Sequence, residues 1–200
     1  MNPVYKKYFK PVFDTGLAFI GIILLSPAIF FISLAIRIES KGPVLFKQSR
    51  LGLNGFVFQI FKFRSMVSDQ SCFNKVTKIY EDDPRITRVG KFIRKTSLDE
   101  IPQLYNIIKG EMSFIGPRPP LPYFPKKYED YNEFEKQRFL VKPGISGLAQ
   151  VRCREIHDWE INIPIDVEYT QNYSFLYDMK LFFASLLFFF KTDNVYREKA

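Results

Sequence analysis

Residues 16–36 read GLAFIGIILLSPAIFFISLAI and carry no charge. About 20 apolar residues in a helix are enough to cross a bilayer. Two features point to another course. Ser26-Pro27 stands in the middle of the segment, where proline removes a backbone donor and its ring clashes with the preceding turn. The flanks are basic on both sides, with Lys6, Lys7 and Lys10 before and Arg37, Lys41, Lys47 and Arg50 after. The positive-inside rule then selects no orientation. From these residues alone two courses stay open: a simple span, or a helix broken at Ser26-Pro27 that dips into one leaflet and returns. A cleaved leader fits poorly, because no small-x-small site follows the apolar run.

The rest of the chain reads as a body attached to this segment. Residues 43–66 predict a β-hairpin turning at Asn54-Gly55, with Phe61 and Phe63 on one face of the second arm and Lys62 and Arg64 on the other. These two cations are either a solvated strand face or part of an anion site. Residues 67–83 are polar and aperiodic and read as a loop. Thr87 to Lys95 predicts a short helix with Val89, Phe92 and Ile93 on one side, suited to a core or to an anionic membrane surface. Ile101 to Ile108 predicts another, with Pro102 tolerated near its start and Lys109-Gly110 ending it. Residues 123–140 read as a helix in which Tyr128, Tyr131 and Phe134 recur at three-residue steps, a pattern of core packing. Lys142 to Gly147 (KPGISG) is a glycine-containing turn, a weak candidate for holding phosphate through backbone N–H groups. Leu181 to Phe190 (LFFASLLFFF) is too short to span and reads as a core or interfacial helix; the apolar N-terminal segment favours the interface.

Two hundred residues with a net charge of +8 and a pI near 9.4 make one ordinary domain that favours anionic partners. Cys72 and Cys153 are the only cysteines and have no paired spacing, so the thiols are expected reduced. His157 is the single histidine, which argues against a histidine-based zinc site or a histidine-dependent triad. An oxygen-bound Mg²⁺ suits such a chain better.

The chemistry concentrates in residues 91–119, KFIRKTSLDEIPQLYNIIKGEMSFIGPRP. Asp99 and Glu100 follow a stretch in which Arg85, Arg88, Lys91, Arg94 and Lys95 appear and no acid does after Asp83. An acidic pair beside a basic run suits phosphate chemistry with a divalent cation: the aspartate as nucleophile or metal ligand, the glutamate as its metal-binding neighbour, the cations as holders of a polyanion. A plainer reading competes. Ser97-Leu98-Asp99-Glu100 matches the capping box S/T-x-x-E, in which Glu100 would reach back to the Ser97 backbone. Arg118 sits between prolines in Gly116-Pro117-Arg118-Pro119-Pro120, which either is a turn or fixes where that arginine points.

Together, GPVLFKQSRLGLNGFVFQIFKFRSM, DPRITRVGKFIRKTSLDEIPQL, IKGEMSFIGPRP, KPGISGLAQVRCR and DVEYTQNYSFLYD resemble, in order and spacing, the bacterial sugar transferase family, the monotopic phosphoglycosyl transferases. By length the chain looks like the small, PglC-like members. The resemblance implies transfer of a sugar-1-phosphate from a UDP-sugar to a polyprenol (undecaprenyl) phosphate, through an aspartyl-phosphosugar intermediate with release of UMP, as the first membrane step of glycan assembly. It maps the nucleophile onto Asp99 and the Mg²⁺-associated acid onto Glu100; the carboxylate chemistry itself makes both residues candidate metal ligands, for Mg²⁺ or for Mn²⁺. Lys62, Arg94, Arg118, Arg154 and Asp178 match polar positions expected around the diphosphate or the dyad. It also implies a re-entrant helix broken at Ser26-Pro27, and a monotopic enzyme on the cytoplasmic face of the bacterial inner membrane. The chain departs from the family pattern at Arg152-Cys153, where Asn-Gly is frequent, at Lys142, where Arg is usual, and at Glu111, where Asp is usual.

The expected architecture is therefore α+β: a mostly helical single domain with a small β-hairpin, a re-entrant membrane helix in residues 1–40, and a catalytic domain in 41–200 with interfacial amphipathic helices. The expected partners are the UDP-sugar, the polyprenol phosphate and membrane lipid, not nucleic acid, with a homo-oligomer left open. The rival reading is a non-catalytic membrane-anchored scaffold for acidic partners; it accounts for the charge and the apolar ends but not for the dyad among matched motifs.

Overall fold

The computed structural model describes residues 4–67, 83–153 and 158–190. The expected loop over 67–83 thus lies almost wholly outside the described residues, and so does Arg154. After a single π-turn at Tyr5–Phe9, helix α1 runs over Lys10–Glu39. At 1.5 Å per residue its 30 residues extend about 45 Å. The helix is not interrupted at Ser26-Pro27: both residues lie inside α1, where a proline can bend a helix without ending it, and the reason for the continuity is local. Pro27 cannot donate to the carbonyl of Ile23, but the Ser26 hydroxyl donates to that oxygen at 2.8 Å. The acceptor that proline orphans is filled by its neighbour, and α1 continues as one helix.

The hairpin forms as expected. Strands β1 (Leu45–Leu51) and β2 (Val57–Phe63) pair antiparallel, with Phe46 opposite Lys62 and Leu51 opposite Val57. Asn54 and Gly55 both take positive φ at the turn, the conformation that Asn-Gly tolerates best. Helices α2 (Arg88–Lys95) and α3 (Gln103–Ile108) follow. Val89 packs toward the core and Ile93 is fully buried, but Phe92 is exposed, so the expected apolar side of α2 is narrower than its sequence suggested.

A second pair of strands was not anticipated. β3 (Ser113–Ile115) and β4 (Gly144–Ser146) pair in parallel. This pairing gives the glycines of KPGISG their role. A side chain on Gly144 would lie 2.2 Å from the Gly116 nitrogen, and one on Gly147 would lie 2.1 Å from the Gly116 oxygen. The Gly144 N–H is taken by the Pro117 carbonyl. These glycines admit backbone against backbone, so the phosphate-cradle reading of this turn is withdrawn. The expected helix over 123–140 is also corrected. Only a 3₁₀ turn (Tyr128–Asp130), the one-turn α4 (Glu133–Lys136) and a second 3₁₀ turn (Gln137–Leu140) form. Asn132 restarts the chain with a capping box to Glu135. Of the three aromatics, Tyr131 is buried, Tyr128 is partly buried and Phe134 is exposed. Helices α5 (Leu148–Arg152), α6 (Trp159–Asn172) and α7 (Phe175–Phe190) complete the described residues.

Helix α1 is the spine along which three of the four buried clusters are strung. Tyr5, just before it, joins Ile115, Tyr169, Tyr173 and Leu181. Ala18 joins Phe58, Ile60, Leu104 and Ile107, and a Cβ on Gly21 would come within 3.3 Å of Leu104, so α3 lies close against it there. Ile36 joins Phe63 and Ile93. Both ends are fastened to this body. At the N-terminal end the Ser113 hydroxyl donates to Asp14 at 2.6 Å, and Lys10 reaches Asp178 of α7 at 2.7 Å. At the C-terminal end the Arg64 guanidinium donates to the carbonyls of Ser40 at 2.7 Å and Lys41 at 2.8 Å. The Glu39 carboxylate accepts from the backbone of Arg88 and Val89 at the start of α2. The opposite side of α1 is bare: Leu24 is 73% exposed and Phe31 66%. Among the described residues this is the one helix long and apolar enough to cross a membrane.

Candidate active site

Helix α2 stops because Ser97 takes a left-handed conformation, φ 53°. One 3₁₀ turn, Leu98–Glu100, then leads into α3. Leu98 and Ile101 insert beside Ile36, Phe63 and Ile93, and their anchoring turns Asp99 and Glu100 toward β2. The capping-box reading is overturned here. The Ser97 side chain makes no cap hydrogen bond, since a left-handed residue lacks the extended geometry of an N-cap. Glu100 does not reach back; it accepts from the Lys62 ammonium at 2.6 Å. The same ammonium lies 3.9 Å from Asp99. The dyad and Lys62 are thus one cluster, each side chain mostly but not wholly withdrawn from water.

The two carboxyls are driven apart. Burial raises the Asp99 pKa, assisted by the Glu100 charge and opposed by Lys62 and Arg94, to about 6. Burial also acts upward on Glu100, but the charges of Lys62 and Arg118 and hydrogen bonds from Lys62 and Gln103 reverse it and hold Glu100 below its ordinary range. Neighbouring carboxyls with opposite shifts mark a division of roles.

The register of this cluster is set by a residue that the sequence reading missed. Asn106, fully buried in α3, accepts from the Phe61 N–H at 3.0 Å and donates to the Gln59 carbonyl at 2.7 Å. It clasps the outer edge of β2 beside Lys62, so α3, which carries the dyad turn, and the strand that carries the lysine cannot slip past each other. A lone polar residue inside YNII was the available signal.

Of the other expected residues, Arg94 and Arg118 each act electrostatically on one member of the dyad. Arg118 is exposed while Pro117, Pro119 and Pro120 are buried, so the prolines do fix the arginine's mount. Asp178 is elsewhere. It is buried, and its oxygens accept from Tyr5, from Lys10 and, at 2.8 Å, from Tyr169. That is a tie between the N-terminus, α6 and α7, and the structure does not bring Asp178 into contact with the dyad or Lys62. Arg64, the other cation of the hairpin arm, is buried under the end of α1 and is no anion ligand. A second missed residue is Arg50. It donates to the Pro119 carbonyl at 3.0 Å and to the Gln48 side chain at 2.7 Å, and its Nε is buried without a partner. Burial and the nearby Arg118 charge lower its pKa to about 10. Among the described residues no carboxylate lies within ion-pair distance of Arg50 or Arg118, so these two neighbouring guanidiniums make no direct ion pair and feel the Glu100 charge only at longer range.

Two carboxylates suit Mg²⁺, which keeps several waters and takes one or two carboxylates plus substrate phosphate. Among the described residues no group of three or more acidic, histidine or cysteine side chains forms a closed metal cage.

A family model described as bacterial sugar transferase matches residues 5–192. The chain is 40% identical over 188 residues to a galactosyl transferase, CpsE, of Streptococcus agalactiae, covering 88% of this chain and 41% of that protein. It is 37% identical over 185 residues to the UDP-glucose:undecaprenyl-phosphate glucose-1-phosphate transferase of Escherichia coli, covering 90% and 40%. It is 39% identical over 173 residues to the sugar transferase EpsL of Bacillus subtilis, covering 86% and 82%. The chain thus spans about two fifths of the first two relatives and most of the third.

Proposed function

The chain belongs to the bacterial sugar transferase family, and from that premise we propose that it moves a sugar-1-phosphate from a UDP-sugar to undecaprenyl phosphate. The observation that carries the proposal is the Lys62–Glu100–Asp99 cluster with its opposed carboxyl pKa values. Asp99, with a pKa of about 6, is ionised at neutral pH yet more basic than an ordinary carboxylate, which suits a nucleophile. Its oxygen attacks the sugar-bearing phosphorus of the donor. An Asp99 Oδ–P bond forms, the P–O bond to the uridylyl phosphate breaks, and UMP departs. A phosphate oxygen of the polyprenol phosphate then attacks the same phosphorus and frees the Asp99 carboxylate, giving the polyprenyl-diphosphate-sugar. Glu100, held ionised, and Asp99 would hold Mg²⁺, which when bound screens the diphosphate and steadies the leaving phosphate. Lys62 steadies the dyad, and Arg94, Arg118 and Arg50 supply positive charge for the phosphates.

We assign the site to one face of a membrane. Helix α1 is fastened at both ends to a single body, through Lys10 and Asp14 at one end and Glu39 and Ser40 at the other. A spanning helix would carry one of those ends to the far side. A monotopic seat, with the bare face of α1 and the exposed Phe183 and Leu187 of α7 in one leaflet, keeps the dyad at the height of a lipid-borne phosphate. The basic flanks favour the cytoplasmic side. The test is UMP release from a panel of UDP-sugars with undecaprenyl phosphate and Mg²⁺, with mass spectrometry after donor alone. A phosphosugar adduct on Asp99 is expected; turnover by Asp99→Asn would overturn the mechanism.

A further inference from the structure

Four consecutive carbonyls, those of residues 117–120, are each held by a hydrogen bond. Gly144 N–H holds that of Pro117, Arg138 Nη2 that of Arg118 at 2.8 Å, Arg50 Nη1 that of Pro119, and Leu51 N–H that of Pro120. The second grip is the unusual one. The Arg138 side chain is wholly buried and ion-paired with Asp166 of α6, itself buried. Its guanidinium carbon lies 5.2 Å from the ring centroids of both Phe139 and Trp159. A buried pair of this kind is a poor source of stability, since well-packed apolar residues in its place are often neutral or better. What an apolar pair cannot supply is a rigid donor aimed at the Arg118 carbonyl.

Building on the assignment of Arg118 to the donor phosphates, we propose that the Arg138–Asp166 pair is a positioning device that aims Arg118 at the active site. Asp166 holds Arg138 through its Nε and Nη2, the two rings pack against the guanidinium, and the same Nη2 fixes the backbone from which Arg118 projects. Misplacing a binding group by about an ångström costs up to about a hundredfold in rate, so the loss expected here lies between about tenfold and about a hundredfold in kcat/KM.

The test is a double-mutant cycle. The paired change Arg138→Met with Asp166→Leu, which removes the ions and keeps an apolar filling, is made in the native chain and in Arg118→Ala. In the native chain kcat/KM for the UDP-sugar falls by the stated factor. In Arg118→Ala the same change has less than about a twofold further effect, because the residue being aimed is gone. Equal losses in both backgrounds, or no loss in the native chain, overturn the proposal. If the paired variant does not fold, Arg138→Lys replaces it: the charge against Asp166 stays, the fork is lost, and the same cycle is read. A crystal structure of the variant separates this inference from the functional reading. Displacement of Arg118 supports positioning whether or not the chain transfers sugar phosphate, and an Arg118 that superimposes on the native one refutes it.

Discussion

Neutralising the two dyad carboxyls one at a time is expected to move stability in opposite directions. The Asp99 pKa is raised from 3.8 to about 6, so its ionised form is disfavoured by folding. Its contribution to stability is full below the ordinary pKa and lost as pH rises through about 6. A shift of roughly 2 units at about 1.36 kcal/mol each makes the ionised Asp99 cost up to about 3 kcal/mol at pH 7.5. Asp99→Asn removes that cost and leaves the 2.6 Å Lys62–Glu100 contact in place. It should therefore be more stable than the native chain at pH 7.5, with the advantage shrinking through pH 6 and gone near pH 4. Glu100 is the reverse. Its folded pKa is depressed, so its contribution is present at neutral pH and lost as pH falls. Glu100→Gln also leaves the partly buried Lys62 without its closest partner, so it should be less stable at pH 7.5, the deficit closing in acid. Urea midpoints followed by circular dichroism in detergent, with chelator present so that no cation bridges the carboxyls, give the comparison. An Asp99→Asn protein no more stable than the native one at pH 7.5, or one whose advantage persists unchanged at pH 4, would show that the two pKa values are not set as argued.

Arg50→Met should raise the donor KM at least about tenfold, the effect of losing roughly 1.4 kcal/mol of phosphate contact, and should lower the urea midpoint as the Pro119 carbonyl loses its donor; an unchanged KM removes Arg50 from the site. Asn106→Leu should cost about 1–3 kcal/mol in urea denaturation, because a part-buried N–H and a part-buried carbonyl of β2 lose their partner, and should depress kcat as Lys62 loosens from the dyad. Asp178→Ala should cost about 3–5 kcal/mol by leaving Lys10 without its nearest partner while the donor KM stays put; a selective rise in KM would return Asp178 to the substrate-binding set. Activity should disappear in excess chelator and return with Mg²⁺ or Mn²⁺, measured as UMP release.

Local patterns were legible where a short stretch contains its own cause. Asn54-Gly55 carries the hairpin because the turn needs positive φ at adjacent residues, and the uncharged run at 16–36 carries a long apolar helix. The nearness of Asp99, Glu100 and the basic residues was readable because motif order preserves it. Contacts between distant segments were not readable. Whether Glu100 closes a capping box or meets Lys62 depends on β2 lying across the dyad turn, which Asn106 arranges from α3. Whether Asp178 serves substrate or structure depends on Tyr5 and Lys10 folding back across almost the whole chain, and the S-x-x-E, K-P-G-I-S-G and Y-x-x-Y-x-x-F patterns each have a local meaning that tertiary packing overrode. Sequence by itself determined which side chains were available and which short segments could turn or coil. Only the tertiary structure decided which charges lost water and beside whom, and that decision separates the Asp99–Glu100–Lys62 cluster from the buried tie at Asp178.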